Sequence, residues 1–127
     1  MDIALNSSIY VSSPEFAGWL YKKGFRWRKL WRKRWVALHG AEIVYMEKEP
    51  TLENSATLKF SKAQIISSTV IVNSDIDGDE NGFAIQINDG NQPTWYLRAE
   101  SLREKKSWLI RLSHAQAIVQ WVSFYSI

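Results

Sequence analysis

The 127-residue sequence predicts an α+β domain, mainly β: seven antiparallel strands forming a small barrel or sandwich, capped by one C-terminal α-helix. Three observations lead there. From residue 15 to 99 the chain breaks into short β-favouring runs separated by Gly, Asn, Asp and Pro. After residue 100 the apolar period changes from two to that of a helix. The length and the balance of 46% hydrophobic to 23% charged residues suit one domain with one core, not a disordered chain.

Residues 1–14 carry four serines and an asparagine and end at Pro14, so they read as a flexible leader to a domain spanning 15–122. Glu15 to Lys23, with Phe16, Trp19 and Tyr21, is the first expected strand, and Trp31 to Leu38 the second. His39-Gly40-Ala41 makes a tight turn into a third strand, Ile43 to Met46. A loop from Glu47 to Ser55 contains Pro50. Strands are expected at Thr57–Phe60 and Ile65–Val72, then an Asp-, Asn- and Gly-rich loop from Asn73 to Gly82. Phe83 to Ile87 alternates, Asp89-Gly90-Asn91 supplies a hairpin turn, and Thr94 to Ala99 is the seventh strand. Ser101 with Glu104 forms a capping box, opening a helix of about six turns. Its core face is expected from Trp108, Leu112, Ala115, Val119 and Val122, widened by Leu109 and Ile118. Residues 123–127 read as a tail or the cut edge of a larger chain. The apolar stretch from Ala117 packs on the barrel or meets a partner.

Composition removes several classes. With no cysteine, no disulfide, thiol nucleophile or zinc–thiolate site can form. The first residues lack the basic and apolar regions of a signal peptide, Asp2 excludes N-myristoylation, and no run approaches the ~18 apolar residues of a membrane span. His39 and His114 have no Ser, Cys or acid at catalytic spacing, so no catalytic residue is assigned. The segment Asp75 to Gly82 looks like a calcium loop at first, but Glu80 and Gln86 stand where that loop needs Gly and Glu; it reads as a solvated acidic turn, and no metal or cofactor is expected.

Charge is the informative feature. Eight of the sixteen basic residues fall between Lys22 and Arg34 with no acid among them, leaving eight bases against thirteen acids elsewhere. A basic end on an acidic body orients the molecule toward an anionic partner. Four of the seven tryptophans crowd into Trp19–Trp35. Trp19, Trp35 and Trp108 are expected in the core.

Gly18-Trp19-Leu20-Tyr21-Lys22-Lys23-Gly24 followed by Trp31-Arg32-Lys33-Arg34-Trp35-Val36-Ala37-Leu38 resembles the opening hairpin of pleckstrin-homology (PH) domains. Trp95-Tyr96-Leu97-Arg98-Ala99-Glu100-Ser101 is similar to their last strand entering the helix, and Trp108 falls at their helix tryptophan. The resemblance covers roughly Phe16 to Ala117. It implies two packed antiparallel sheets and a capping helix, and the family pattern helps to fix the strand count.

The resemblance also implies a function: a non-catalytic membrane-targeting module for phosphoinositide or other anionic headgroups. Lys22, a nine-residue spacer and Arg32-Lys33-Arg34 are similar to the family's binding pattern. Arg32 and Arg34, two apart on a strand, leave one face, and Lys22 ends the neighbouring strand, so the three converge. Guanidinium forks and an ammonium suit a polyphosphorylated ring. Tyr45 matches a position that offers a hydroxyl. Lys23, Arg26, Arg28 and Lys29 form a supporting basic loop. Phe25, Trp27 and Leu30, on a loop where many members carry small residues, are candidates for membrane insertion. The expected location is cytoplasmic, with reversible peripheral attachment to membranes. A protein-interaction module is the alternative. Nucleic acid is not expected, because the bases sit at one hairpin end instead of tracing a groove.

Overall fold

The computed structural model describes residues 14–24, 30–88 and 92–125. Seven strands, β1 (Phe16–Lys23), β2 (Trp31–His39), β3 (Glu42–Met46), β4 (Phe60–Gln64), β5 (Val70–Val72), β6 (Gly82–Gln86) and β7 (Trp95–Arg98), are followed by one helix, α1 (Leu102–Tyr125). The strands form one continuous antiparallel sheet, in the order β4-β3-β2-β1-β7-β6-β5. The two halves are joined through β1, which pairs with β2 along its whole length and with β7 near its end, Lys22 facing Arg32 on one side and Leu97 on the other.

Strand parity sorts the side chains. Leu20, Val36, Leu38, Ile43, Ala63, Phe83, Ile85 and Leu97 line the inner face and pack against Trp108, Leu112 and Ala115 of α1. Trp108 lies in this core, edge-on to Phe16 at 4.7 Å. Trp19 and Trp35 do not. Opposite each other in the β1–β2 register, they stand half-buried on the outer face and meet edge-to-face at 5.3 Å. Because Leu20 and Lys22 point inward, Trp19 and Tyr21 must point out. Trp35 instead covers a small second cluster of Ala37, Val44 and Met46.

Two strands differ from expectation. β4 begins at Phe60, not Thr57, and runs on to Gln64. The preceding residues are held in a helical turn: the Thr51 amide donates to the Asn54 side-chain carbonyl, the Asn54 amide to the Thr51 hydroxyl, and the Ser55 amide to the Thr51 carbonyl. β5 is only Val70–Val72, because Ile65 to Thr69 turns back, with the Thr69 hydroxyl accepting from the Ile66 amide and donating to the Ile87 carbonyl. Asp89-Gly90-Asn91 lies outside the described residues. The acidic loop contains a two-residue hairpin at Asp77-Gly78, both with positive φ (53° and 79°), a geometry that Asp-Gly favours.

Helix α1 starts as the capping pair predicts. The Glu104 amide donates to the Ser101 hydroxyl, while the Glu104 carboxylate reaches back to the Glu100 amide, one residue earlier than in the standard box. Lys105 is buried and donates to the Glu80 carbonyl at 2.6 Å, tying the first turn to the acidic loop. Further along, the side-chain amides of Gln116 and Gln120 bond the carbonyls of Thr69 and Ser67. Ile118 and Val122, expected on the core face, are instead more than half exposed. The helix continues through Tyr125, past the position expected for the start of the tail. No helix among the described residues is long and apolar enough to cross a membrane.

Candidate functional site

An antiparallel meander puts the β1–β2 and β3–β4 loops at the same end of the sheet. Lys22 lies at this end on the inner face, where the apolar lining stops. Its neighbours on that face are Arg32, directly across the β1–β2 pair, and Arg34, one step deeper. The inner-face alternation of β1 and β2 thus passes from Leu20, Val36 and Leu38 to three bases.

Lys22 is only 6% exposed. Its ammonium stands 4.7 Å from the centre of the Tyr45 ring and 5.4 Å from that of Trp95, and these two rings meet edge-to-face at 5.0 Å. The electron-rich faces partly replace lost water. They do not replace all of it: burial, and then the nearby Arg34 guanidinium, lowers the Lys22 pKa from its ordinary 10.5 to about 8. Arg32 is exposed. Arg34 donates to the backbone carbonyl of Lys33 at 2.9 Å and is 4.0 Å from the exposed Glu47 carboxylate.

Beside this group an open cleft of about 530 Å³ is lined by Arg34, Tyr45, Lys48, Asn54, Lys59 and Ser61 among others. Lys48 and Lys59 were not singled out from sequence. The signal was available, since both belong to the connection between β3 and β4, on the side where β1 and β2 are joined. Trp95 was likewise missed as a neighbour of Lys22, because that contact depends on β7 pairing with β1.

The supporting residues divide. Lys23 points to the outer face, 2.7 Å from the Asp77 carboxylate and 5.9 Å from the Trp31 ring, so its charge is engaged away from the Lys22 group. Lys33 also points outward, over Trp19 at 5.2 Å and 3.8 Å from Glu100. Leu30 is 49% exposed, and its carbonyl accepts from the Gly24 amide to close the loop. Phe25, Arg26, Trp27, Arg28 and Lys29 lie outside the described residues.

The architecture can be matched to known proteins. The human pleckstrin homology domain-containing family A member 5 is 29% identical over 105 residues, covering 81% of this chain and 9% of that protein. The chain therefore spans only a small part of the length of this relative. Among solved structures, a pleckstrin homology domain in solution superposes with a TM-score of 0.66 at 19% identity, covering 85% of this chain and 89% of that one. The C-terminal PH domain of pleckstrin, solved in complex with D-myo-Ins(1,2,3,5,6)P5, gives 0.61 at 19% identity, with coverage of 82% and 96%. Residues 14–117 match the PH domain family, and on that match, most of its length, the chain belongs to the PH domain family.

Proposed function

We infer that this domain is a non-catalytic membrane-targeting module that binds phosphoinositide or similar anionic headgroups at the Lys22–Arg32–Arg34 end of the sheet. The observation that carries this reading is the convergence of those three bases on one face, beside Tyr45, where the core lining gives way to an open cleft. The pleckstrin domain of the same fold, solved with an inositol pentakisphosphate, supports this class of ligand. Arg32 and Arg34 offer forked donors and Lys22 a third cation from the floor. Lys48 and Lys59 would extend the phosphate contacts across the cleft. Phe25, Trp27 and Leu30 would enter the headgroup interface as the bases engage the surface, placing the protein reversibly on a cytoplasmic membrane face.

Liposomes carrying a panel of phosphoinositides test this directly. Lys22→Ala, Arg32→Ala and Arg34→Ala should each weaken binding by about 1.5–3 kcal/mol, ten- to hundredfold, with unchanged circular dichroism. Wild-type affinity in all three variants would remove the site from this end of the sheet. It would favour the protein-interaction reading.

A further inference from the structure

On the inner face of β7, Trp95 stands two residues before Leu97, the partner of Lys22 in the β1–β7 pairing, so antiparallel register places it toward the hairpin end. It is 2% exposed and belongs to the main core. Trp95 and Tyr45 both face the Lys22 ammonium, with ring centres 5.4 Å and 4.7 Å from the nitrogen. The two rings differ in what else they reach. Tyr45 lines the open cleft, where a ligand can touch it. Trp95 does not line the cleft, and so meets a headgroup only through Lys22. The groups around the ammonium pull in opposite directions. Arg34 of β2 repels its charge, Arg32 lies directly across the strand pair, and Glu47 stands against Arg34, 4.0 Å away. Burial disfavours the charge further. The Tyr45 ring from β3 and the Trp95 ring from β7 favour it through their electron-rich faces.

We propose that Trp95 is a positioning residue of the headgroup site: its ring face holds the Lys22 side chain at the floor of the site in its charged form, ready for a phosphate, without touching the ligand itself. Packing alone would be served by any apolar side chain of that volume, and an ammonium gains nothing from an aliphatic wall. A ring face gives it an electrostatic partner that brings no competing anion into the site. A carboxylate in the same place would hold Lys22 more tightly and would also repel the phosphate that Lys22 is there to meet. The ligand part of the proposal rests on the headgroup reading given above, and the hold on Lys22 does not.

Fluorination of the Trp95 ring tests it. Fluorine withdraws electron density from the ring face with little change of shape, so it weakens the hold on a cation and leaves the packing nearly intact. Mono-, di- and trifluorotryptophan are placed at position 95 by nonsense suppression. In the free protein, the titration of Lys22 is followed by the NMR shift of its Cε. Its midpoint is near 8 with the natural ring and should step to lower pH with each added fluorine. Affinity for phosphoinositide liposomes at pH 7 should fall over the series by about three- to tenfold, and its pH profile should move with the Lys22 midpoint. In a Lys22→Met background the series should leave the remaining affinity unchanged. The same series at Trp108, in the core against Phe16, is the control and should move neither reading. A Lys22 midpoint that stays put across the Trp95 series would overturn the proposal. So would an equal loss of affinity in the Lys22→Met background, or the same shifts from Trp108. A wild-type domain that binds no phosphoinositide, while its Lys22 midpoint still follows the fluorines, would overturn the headgroup reading and uphold the hold of Trp95 on Lys22.

Discussion

Lys22 is costly to the fold where it sits. With a folded pKa near 8 against an ordinary 10.5, its charged form is disfavoured on folding by on the order of 2–3 kcal/mol at neutral pH. The penalty is fully present below pH 8. Between pH 8 and 10.5 the unfolded chain holds the proton that the folded one has released, so this residue makes stability rise with pH. Lys22→Met should therefore stabilise the domain by roughly 1–2 kcal/mol at pH 7, part of the gain being lost with the ring contacts, while weakening headgroup binding as Lys22→Ala does. Urea denaturation at pH 7 and pH 10 should show the gap between the two proteins narrowing at the higher pH; a constant gap would show that Lys22 is not held at a cost. Binding by the wild type should likewise fall as pH rises through 8, where Lys22 gives up its charge. The sequence made the shared face of Lys22, Arg32 and Arg34 legible, because parity along paired strands decides it. It did not make the Tyr45–Trp95 clasp legible, since that contact joins strands far apart in the chain. It placed Trp19 and Trp35 wrongly in the core, because aromatic residues occupy both sides of β1 and β2.

Among the elements, the strands that were legible are those whose alternation is strong or whose turns are distinctive. β1, β2, β3, β6 and β7 lie within a few residues of where their patterns place them. β4 and β5 were misjudged because local hydrogen bonding through Thr51, Asn54 and Thr69 holds flanking β-favouring residues in turns, and propensity alone carries no record of that competition. Helix α1 was legible in its cap and in Trp108, Leu112 and Ala115 of its core face, but Ile118 and Val122 were misplaced there, since periodicity alone does not tell where along a helix the sheet beneath it stops. The acidic loop behaves as a clasp between elements: Asp77 meets Lys23 of β1, Asp79 lies 3.6 Å from Arg98 of β7, and the Glu80 carbonyl takes Lys105 of α1. Its fit to β6 is close at Gly82, where an added Cβ would stand 2.8 Å from the Ile76 side chain and 3.0 Å from its amide nitrogen. Gly82→Ala should lower stability by about 1–3 kcal/mol, read as a reduced denaturation midpoint. An unchanged midpoint would mean that the hairpin around Ile76 yields freely.

For the molecule as a whole, the question is whether the basic end is a site or only a field. Exposed charges are screened beyond ~8–10 Å at physiological salt, whereas short, partly desolvated contacts are screened less. Binding to at least one phosphoinositide should therefore survive 150 mM salt (about physiological), while binding to DNA and to charge-matched phosphatidylserine vesicles should be mostly lost. Parallel loss on all three would leave a nonspecific electrostatic anchor, and persistence on DNA alone would point to single-stranded nucleic acid. Lys33 serves as the control. Engaged on the outer face with Trp19 and Glu100, its replacement by Ala should trim the long-range attraction and spare the salt-resistant part.

The central position of β1 in the sheet also has a consequence for how the protein is made. The first hairpin can close as soon as β2 exists, but the other edge of β1 waits for β7, more than seventy residues later in the chain. Until then a nascent or refolding chain presents an unpaired strand edge beside its densest run of positive charge, a position open to pairing with other chains. The late, long-range closure should make folding slow for this size, in the millisecond-to-second range set by nonlocal sheet topology. Trp95 arrives with that same strand, so a chain interrupted before it can hold the hairpin without holding Lys22 in place.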